Sequence, residues 1–196
     1  MELTRSLIET KAAEYREQEP LYSVEQEQIE TLPTALERGA YGRRDCAWIV
    51  RWYYRRTLGV APDDERRTAE AHFERNEFET VRDVVDDVLE QLAEGSDDVA
   101  AAVGRLTALE GVGVEVASAF CFFLDPDRYV VVGEREWTVL REAGELDAPY
   151  PEPEPSIDAY ETYLERCRDV CDRYECDIWT LYRALWRCWK EQFGEA

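Results

Sequence analysis

An all-α fold is predicted by two observations. Apolar residues recur three and four apart through almost every segment, the spacing of one buried helical face. No stretch alternates apolar and polar residues as a half-buried strand does, and no internal repeat occurs. The 196 residues suit a single domain, 1–196, with room for two lobes. Hydrophobic residues make up 45% and aromatic residues 12%, enough for a core despite a formal charge of −21.

From the N-terminus, residues 3–17 and 23–39 read as acidic amphipathic helices, the second bent or split at Pro33, and give an acidic N-terminal unit over 1–40. Residues 43–57 form a denser helix that ends toward Gly59 and Pro62, and 64–75 is polar with a few apolar anchors. Val81, Val84, Val85, Val88, Leu89 and Leu92 are the cleanest amphipathic stripe, stopped by Gly95, with Ser96 placed to cap the next helix. Val99, Ala102, Val103, Leu106 and Leu109 mark that helix, then a tight turn, Glu110-Gly111-Val112-Gly113, and a small apolar helix Val114–Leu124 broken by Pro126. Residues 129–132 are a short extended piece and 134–143 is helical. Residues 147–156 hold four of the eight prolines and form an extended crossing. Two helices, about 157–175 and 178–192, make up the C-terminal unit 157–196.

Only Lys11 and Lys190 are lysines among 23 basic residues, against 44 acidic ones. An acidic chain with so little Lys resembles the cytosolic proteins of salt-loving microorganisms, which work in molar KCl. There the Debye length is about 3 Å. The acidity therefore does not by itself exclude nucleic acid as a partner, and it also leaves a DNA-mimic reading open. The start lacks a basic end and a long apolar stretch, and no apolar run approaches ~18 residues. A cytoplasmic location and no membrane partner are expected.

Cys46, Cys121, Cys167, Cys171, Cys176 and Cys188 fit neither a zinc pair nor an iron–sulfur loop in their spacing. Tyr160, Tyr163, Leu164, Cys167, Cys171 and Tyr174 instead recur as a buried helical stripe, in which Cys is a small apolar residue. The single His72 cannot build a histidine site and is expected at the surface or half-buried. No metal and no other cofactor are expected.

The informative stretch runs from Leu106 to Leu140. Two helices joined by Gly111-Val112-Gly113 can turn sharply and approach a phosphate without a Cβ in the way. The free N–H groups of the turn and of the helix starting at Val114 can converge on one anion. Val112 can pin the turn to the core, and Ala117, Ser118 and Ala119 keep the second helix slim.

With the Pro126 break, the 129–132 run and the helix after it, this stretch resembles the helix-hairpin-helix/Gly-Pro-Asp superfamily of DNA glycosylases, with 96–124 as the hairpin unit. The Trp/Tyr-rich helix at 48–55 and the Arg183-Ala184-Leu185-Trp186 end resemble a poorly characterised branch of it. The resemblance implies a cleft between two helical lobes, DNA as partner, and a backbone grip at Gly111, Val112, Gly113 and Val114. A monovalent cation at the hairpin is compatible with the motif and not required by it. The chain departs from the family where the chemistry lies. The Lys that forms a Schiff base in bifunctional members is replaced by Glu115, and no Lys stands between Lys11 and Lys190. The Asp expected about twenty residues beyond the hairpin is replaced by Gly133. Glu134 is adjacent and is the candidate substitute, although neighbours on a helix point about 100° apart and a carboxylate there also suits the helix dipole.

Residues 41–60 carry five arginines against Asp45 alone, interleaved with Tyr41, Trp48, Trp52, Tyr53 and Tyr54. Arg with aromatics is the mix that binds phosphate and stacks on bases. Arg43, Arg44 and Arg51, with Arg105 and Arg135 beside the hairpin elements, are candidate phosphate contacts; Trp48, Trp52 and Arg55 are a candidate base pocket. The same stripe also reads as core. A second basic island is Arg183, Arg187 and Lys190. The leading expectation is a DNA-binding, glycosylase-like protein of DNA repair that recognises a damaged or modified base. The alternatives are an active glycosylase using Glu134, and a protein-interaction module whose partner surface is the acidic 3–39 region.

Overall fold

The computed structural model describes residues 1–57, 62–92 and 98–194. Among them are ten α-helices and no strand: α1 (Arg5–Gln18), α2 (Tyr22–Glu37), α3 (Arg43–Arg55), α4 (Asp63–Phe73), α5 (Phe78–Leu92), α6 (Val99–Leu106), α7 (Val114–Leu124), α8 (Glu134–Glu142), α9 (Ile157–Tyr174) and α10 (Ile178–Phe193). None of the helices is long and apolar enough to cross a membrane.

Local chemistry sets the ends. Thr4, Asp98, Ser156 and Asp177 cap α1, α6, α9 and α10 by accepting a backbone N–H from inside the first turn. At α3 the N-cap is Gly42, whose own N–H donates to Asp45 at 2.8 Å. Asp98 thus does what was expected of Ser96; Ser96, Gly59 and Gly95 lie outside the described residues. Helix α2 runs unbroken through Pro33, so the chain is not split there.

Helix α7 is the centre. All of its residues but Glu115 are buried, including Phe120, Phe122 and Phe123. Helices α2, α3, α6 and α9 pack around it. The extended stretch 129–132 is buried without a strand partner, and side chains satisfy its backbone. Tyr160 and Tyr163 donate to the carbonyls of Val130 and Val131 at 3.0 and 3.1 Å, and Ser118 accepts from the Val132 N–H at 3.0 Å. Of the α9 stripe expected at Tyr160, Tyr163, Leu164, Cys167, Cys171 and Tyr174, all are buried except Tyr174, which is half-buried.

One face of the acidic N-terminal helices is packed into the fold, while Glu9, Glu17, Glu27, Glu30 and Glu37 remain exposed on the other. Helix α1 lies along α10. Glu19, 6% exposed, holds Arg187 at 2.7 Å and Lys190 at 2.9 Å; Arg183 donates to Gln26 and stacks over Trp179. The second basic island is therefore consumed inside the fold.

Glu25 is fully buried and accepts from the Tyr15 hydroxyl (2.6 Å) and the Trp52 indole N–H (2.9 Å). Burial pushes its carboxyl above the usual range, against the pull of those two donors. Raised in the fold, this group favours folding most below its unfolded pKa, and that contribution fades as pH rises through the folded value. Glu25→Gln keeps an acceptor for Trp52 and offers Tyr15 a donor. It should leave neutral-pH stability within about 1 kcal/mol and remove this acid-side gain, whereas Glu25→Ala strands two buried donors and should cost about 2–4 kcal/mol. Urea titrations from about pH 4 to 7 check both.

Candidate functional site

Helix α6 ends at Leu106 with Thr107 as its C-cap, and the chain turns through 108–113 into α7. Asn76 clamps this turn: its side chain accepts the Glu110 N–H and donates to the Glu110 carbonyl, both at 3.0 Å. Gly111 has φ +79°, and a Cβ there would lie 2.5 Å from the Ala69 carbonyl oxygen and 2.8 Å from the Phe73 nitrogen. The close approach that needs this glycine is thus to the protein's own α4. Val112 and Val114 are buried at 5% and 8% exposure, so the two valines anchor the turn and present little surface to a ligand.

Gly113, the N-cap of α7, faces a different neighbour. A Cβ there would overlap the carboxylate of Glu154, which comes from the Pro-rich crossing. A negative group belonging to the chain itself therefore sits where the turn and helix dipole favour an anion. The recess beside it, of about 710 Å³, carries Asp64, Glu65 and Glu154 with Tyr54, Thr68 and His72; no Arg or Lys lines it among the described residues. The surroundings of this turn are acidic.

A second cavity of about 340 Å³ adjoins the first and shares Tyr54 and Glu65 with it. Six elements supply its walls: Tyr53, Tyr54 and Arg56 from the end of α3, Glu65 from α4, Glu115 from α7, Glu134 and Arg135 from α8, Trp189 from α10, and Tyr150 and Pro153 from the crossing. Glu115 accepts a short hydrogen bond from the Tyr150 hydroxyl. Burial raises its carboxyl; hydrogen bonds from Tyr150 and Tyr53 and the charge of Arg56 oppose that rise, and nearby Glu154 adds to it. Glu134 is exposed at the first position of α8, on the same cavity.

Gly133, where the resemblance implies an Asp, is packed against other groups. A Cβ on Gly133 would overlap the Arg56 guanidinium, and the Glu136 Oε2 would be 3.0 Å away. Arg56 and Glu136 form a buried ion pair at 2.7 Å, with side chains 3% and 0% exposed. Arg56 also lies 4.9 Å from the Tyr53 ring centroid. Its neighbour Arg135 is buried, donates to the Thr57 carbonyl at 2.8 Å and stacks over Trp189 at 4.1 Å. Arg135 is a wall of the cavity and not the surface phosphate contact expected of it.

The other expected residues separate into three groups. Arg43, Arg44 and Arg51 line one recess of about 500 Å³ on α3 with Trp48 and Glu74. Arg43 there donates to the Glu74 carbonyl (3.2 Å) and Arg51 pairs with Glu70 (3.2 Å), while Arg44 is exposed. Arg105 pairs with Asp87 at 2.7 Å on an exposed face. The expected base pocket does not assemble. Trp52 is 3% exposed, packs on Phe122 and Phe123 and donates to Glu25, so its ring belongs to the core; Trp48 packs edge-on against Phe123, and Arg55 is exposed.

Sequence reasoning passes over most residues that build the cavity. Tyr53, Tyr54 and Arg56 belong to the Arg/aromatic stretch but are not among its candidate site residues, and in sequence Glu115 marks only a missing Lys. Tyr150 and Glu154 give no local signal, because they reach α7 from 35 or more positions away. The cysteines are all free, and no group of three or more His, Cys, Asp or Glu able to hold a metal occurs among the described residues. No family model, curated protein or solved structure matches this chain.

Proposed function

We propose that this chain is a DNA-binding, glycosylase-like protein that examines one nucleobase at a time in the cavity between α3, α7 and α8. One observation carries the reading. The turn at Gly113 lines one of two adjoining recesses and the start of α8, at Glu134 and Arg135, lines the other, with Tyr54 shared between them and Tyr53 on the second. In this reading the hairpin grips the backbone once the Glu154 carboxylate is withdrawn from α7, and the extruded base enters beside the half-buried Tyr54. Glu134, on that cavity, is the carboxylate available for bond cleavage. Schiff-base chemistry at the hairpin has no lysine to use.

The test is fluorescence anisotropy with duplex DNA carrying an abasic analogue, beside plain duplex, from low to molar KCl. Circular dichroism at each salt confirms folding. Wild type is expected to prefer the abasic duplex, Glu154→Ala to bind it about tenfold more tightly, and Gly113→Glu to lose it. No binding by folded wild type and Glu154→Ala at any salt would end the DNA reading. Base release that vanishes in Glu134→Gln would make the protein an enzyme.

A further inference from the structure

The 340 Å³ cavity lies at the low end of the size range of small-molecule sites, about 300–1,000 Å³. Its charge balance selects among ligands. Glu65, Glu115 and Glu134 face it. Arg56 is neutralised by Glu136, and Arg135 is engaged with Thr57 and Trp189. Such a site repels phosphate and carboxylate groups and favours a ligand edge rich in N–H donors. Its tyrosines suit a flat ring, since every base offers a π-face to an aromatic wall.

Glu115 is built to be read by such an edge. The Tyr150 hydroxyl fixes Oε1, and Tyr53 also hydrogen-bonds this carboxylate. A carboxylate has about four acceptor sites. Two remain for a ligand after both tyrosines are served. The nucleobase that presents two adjacent donors on its pairing edge is guanine, through N1–H and the 2-amino group. Adenine and cytosine each present a donor next to an acceptor, whose lone pair would face the carboxylate.

We infer that the Glu115 carboxylate, held by Tyr53 and Tyr150, reads the N1–H and 2-amino edge of a guanine base extruded into this cavity. The inference rests on the proposed DNA reading and names the base that site selects. Glu115 is a specificity residue here, and Tyr150 is its positioning residue.

The experiment compares four duplexes that differ at one unpaired position: guanine, inosine (no 2-amino group), adenine and 1-methyladenine (cationic, without the paired donors). The abasic duplex is the reference. A bidentate pair is worth about 1–3 kcal/mol of discrimination. Wild type should therefore favour guanine over adenine by roughly tenfold or more, with inosine between them. In Glu115→Gln the preference should fall within about twofold; Tyr150→Phe should give a smaller loss. The inosine comparison uses wild type alone, so it does not depend on how the variants fold. Equal affinity for guanine and adenine, tighter binding of 1-methyladenine, or a preference that survives Glu115→Gln would each overturn the inference. Retained abasic binding in those cases leaves the DNA reading standing; loss of all binding by folded wild type ends both.

Discussion

Arg56→Met is expected to lower the unfolding free energy by about 3–5 kcal/mol, the cost of leaving one member of a buried ion pair uncompensated. Glu136 has no exposure at all, its Oε1 is held by Arg56, and its Oε2 is without a hydrogen-bond partner among the described residues. Replacing both partners by apolar residues of similar volume, Arg56→Met with Glu136→Leu, should restore most of the loss. A double-mutant cycle by urea denaturation in molar KCl checks this, and a double variant no more stable than Arg56→Met would show that the pair does not couple. The same pair dictates what happens on restoring the carboxylate that the glycosylase resemblance calls for. Gly133→Asp places a side chain on the Arg56 guanidinium, so it should destabilise the fold by a similar amount and yield no base release.

Gly111→Ala should cost about 3 kcal/mol or more, from two terms: about 1–2 kcal/mol for a non-glycine residue at positive φ and about 1–3 kcal/mol for overlap with packed neighbours. The neighbours are backbone atoms of α4, which cannot swing aside as a side chain can. Gly39 and Gly144 provide the controls. Their φ values are +64° and +78°, but nothing lies within 4 Å of a Cβ at either. Alanine there should cost only the backbone term, about 1–2 kcal/mol. Denaturation curves of the three variants separate conformation from contact. A Gly111→Ala variant no worse than the other two would show that α4 yields.

The helices are legible in the sequence because they carry their own periodicity, and α1, α6, α9 and α10 their own caps. The Val81 to Leu92 stripe and the buried face of α9 need only local sequence. The site is less legible for a physical reason. Arg and aromatic residues attract phosphate and carboxylate alike, and in a chain with 44 acidic residues the arginines find carboxylates first. Arg51 meets Glu70, Arg105 meets Asp87, and Arg187 meets Glu19. None of those pairings can be read from spacing. Trp52 shows the same limit: one helical stripe serves equally as a base platform or as core, and the Phe pair on α7 makes it core.

The α1–α10 packing carries a consequence for biosynthesis. Arg187 and Glu19 are 168 positions apart, and Arg183 and Gln26 are 157 apart. At ~5–20 residues per second, the first helices leave the ribosome roughly ten seconds or more before their partner exists. Until then Glu19 lacks its cations and the apolar faces of α1 stand in water. This core cannot close before α10 has emerged, and in that interval the nascent chain is a natural client for a chaperone that shields amphipathic helices.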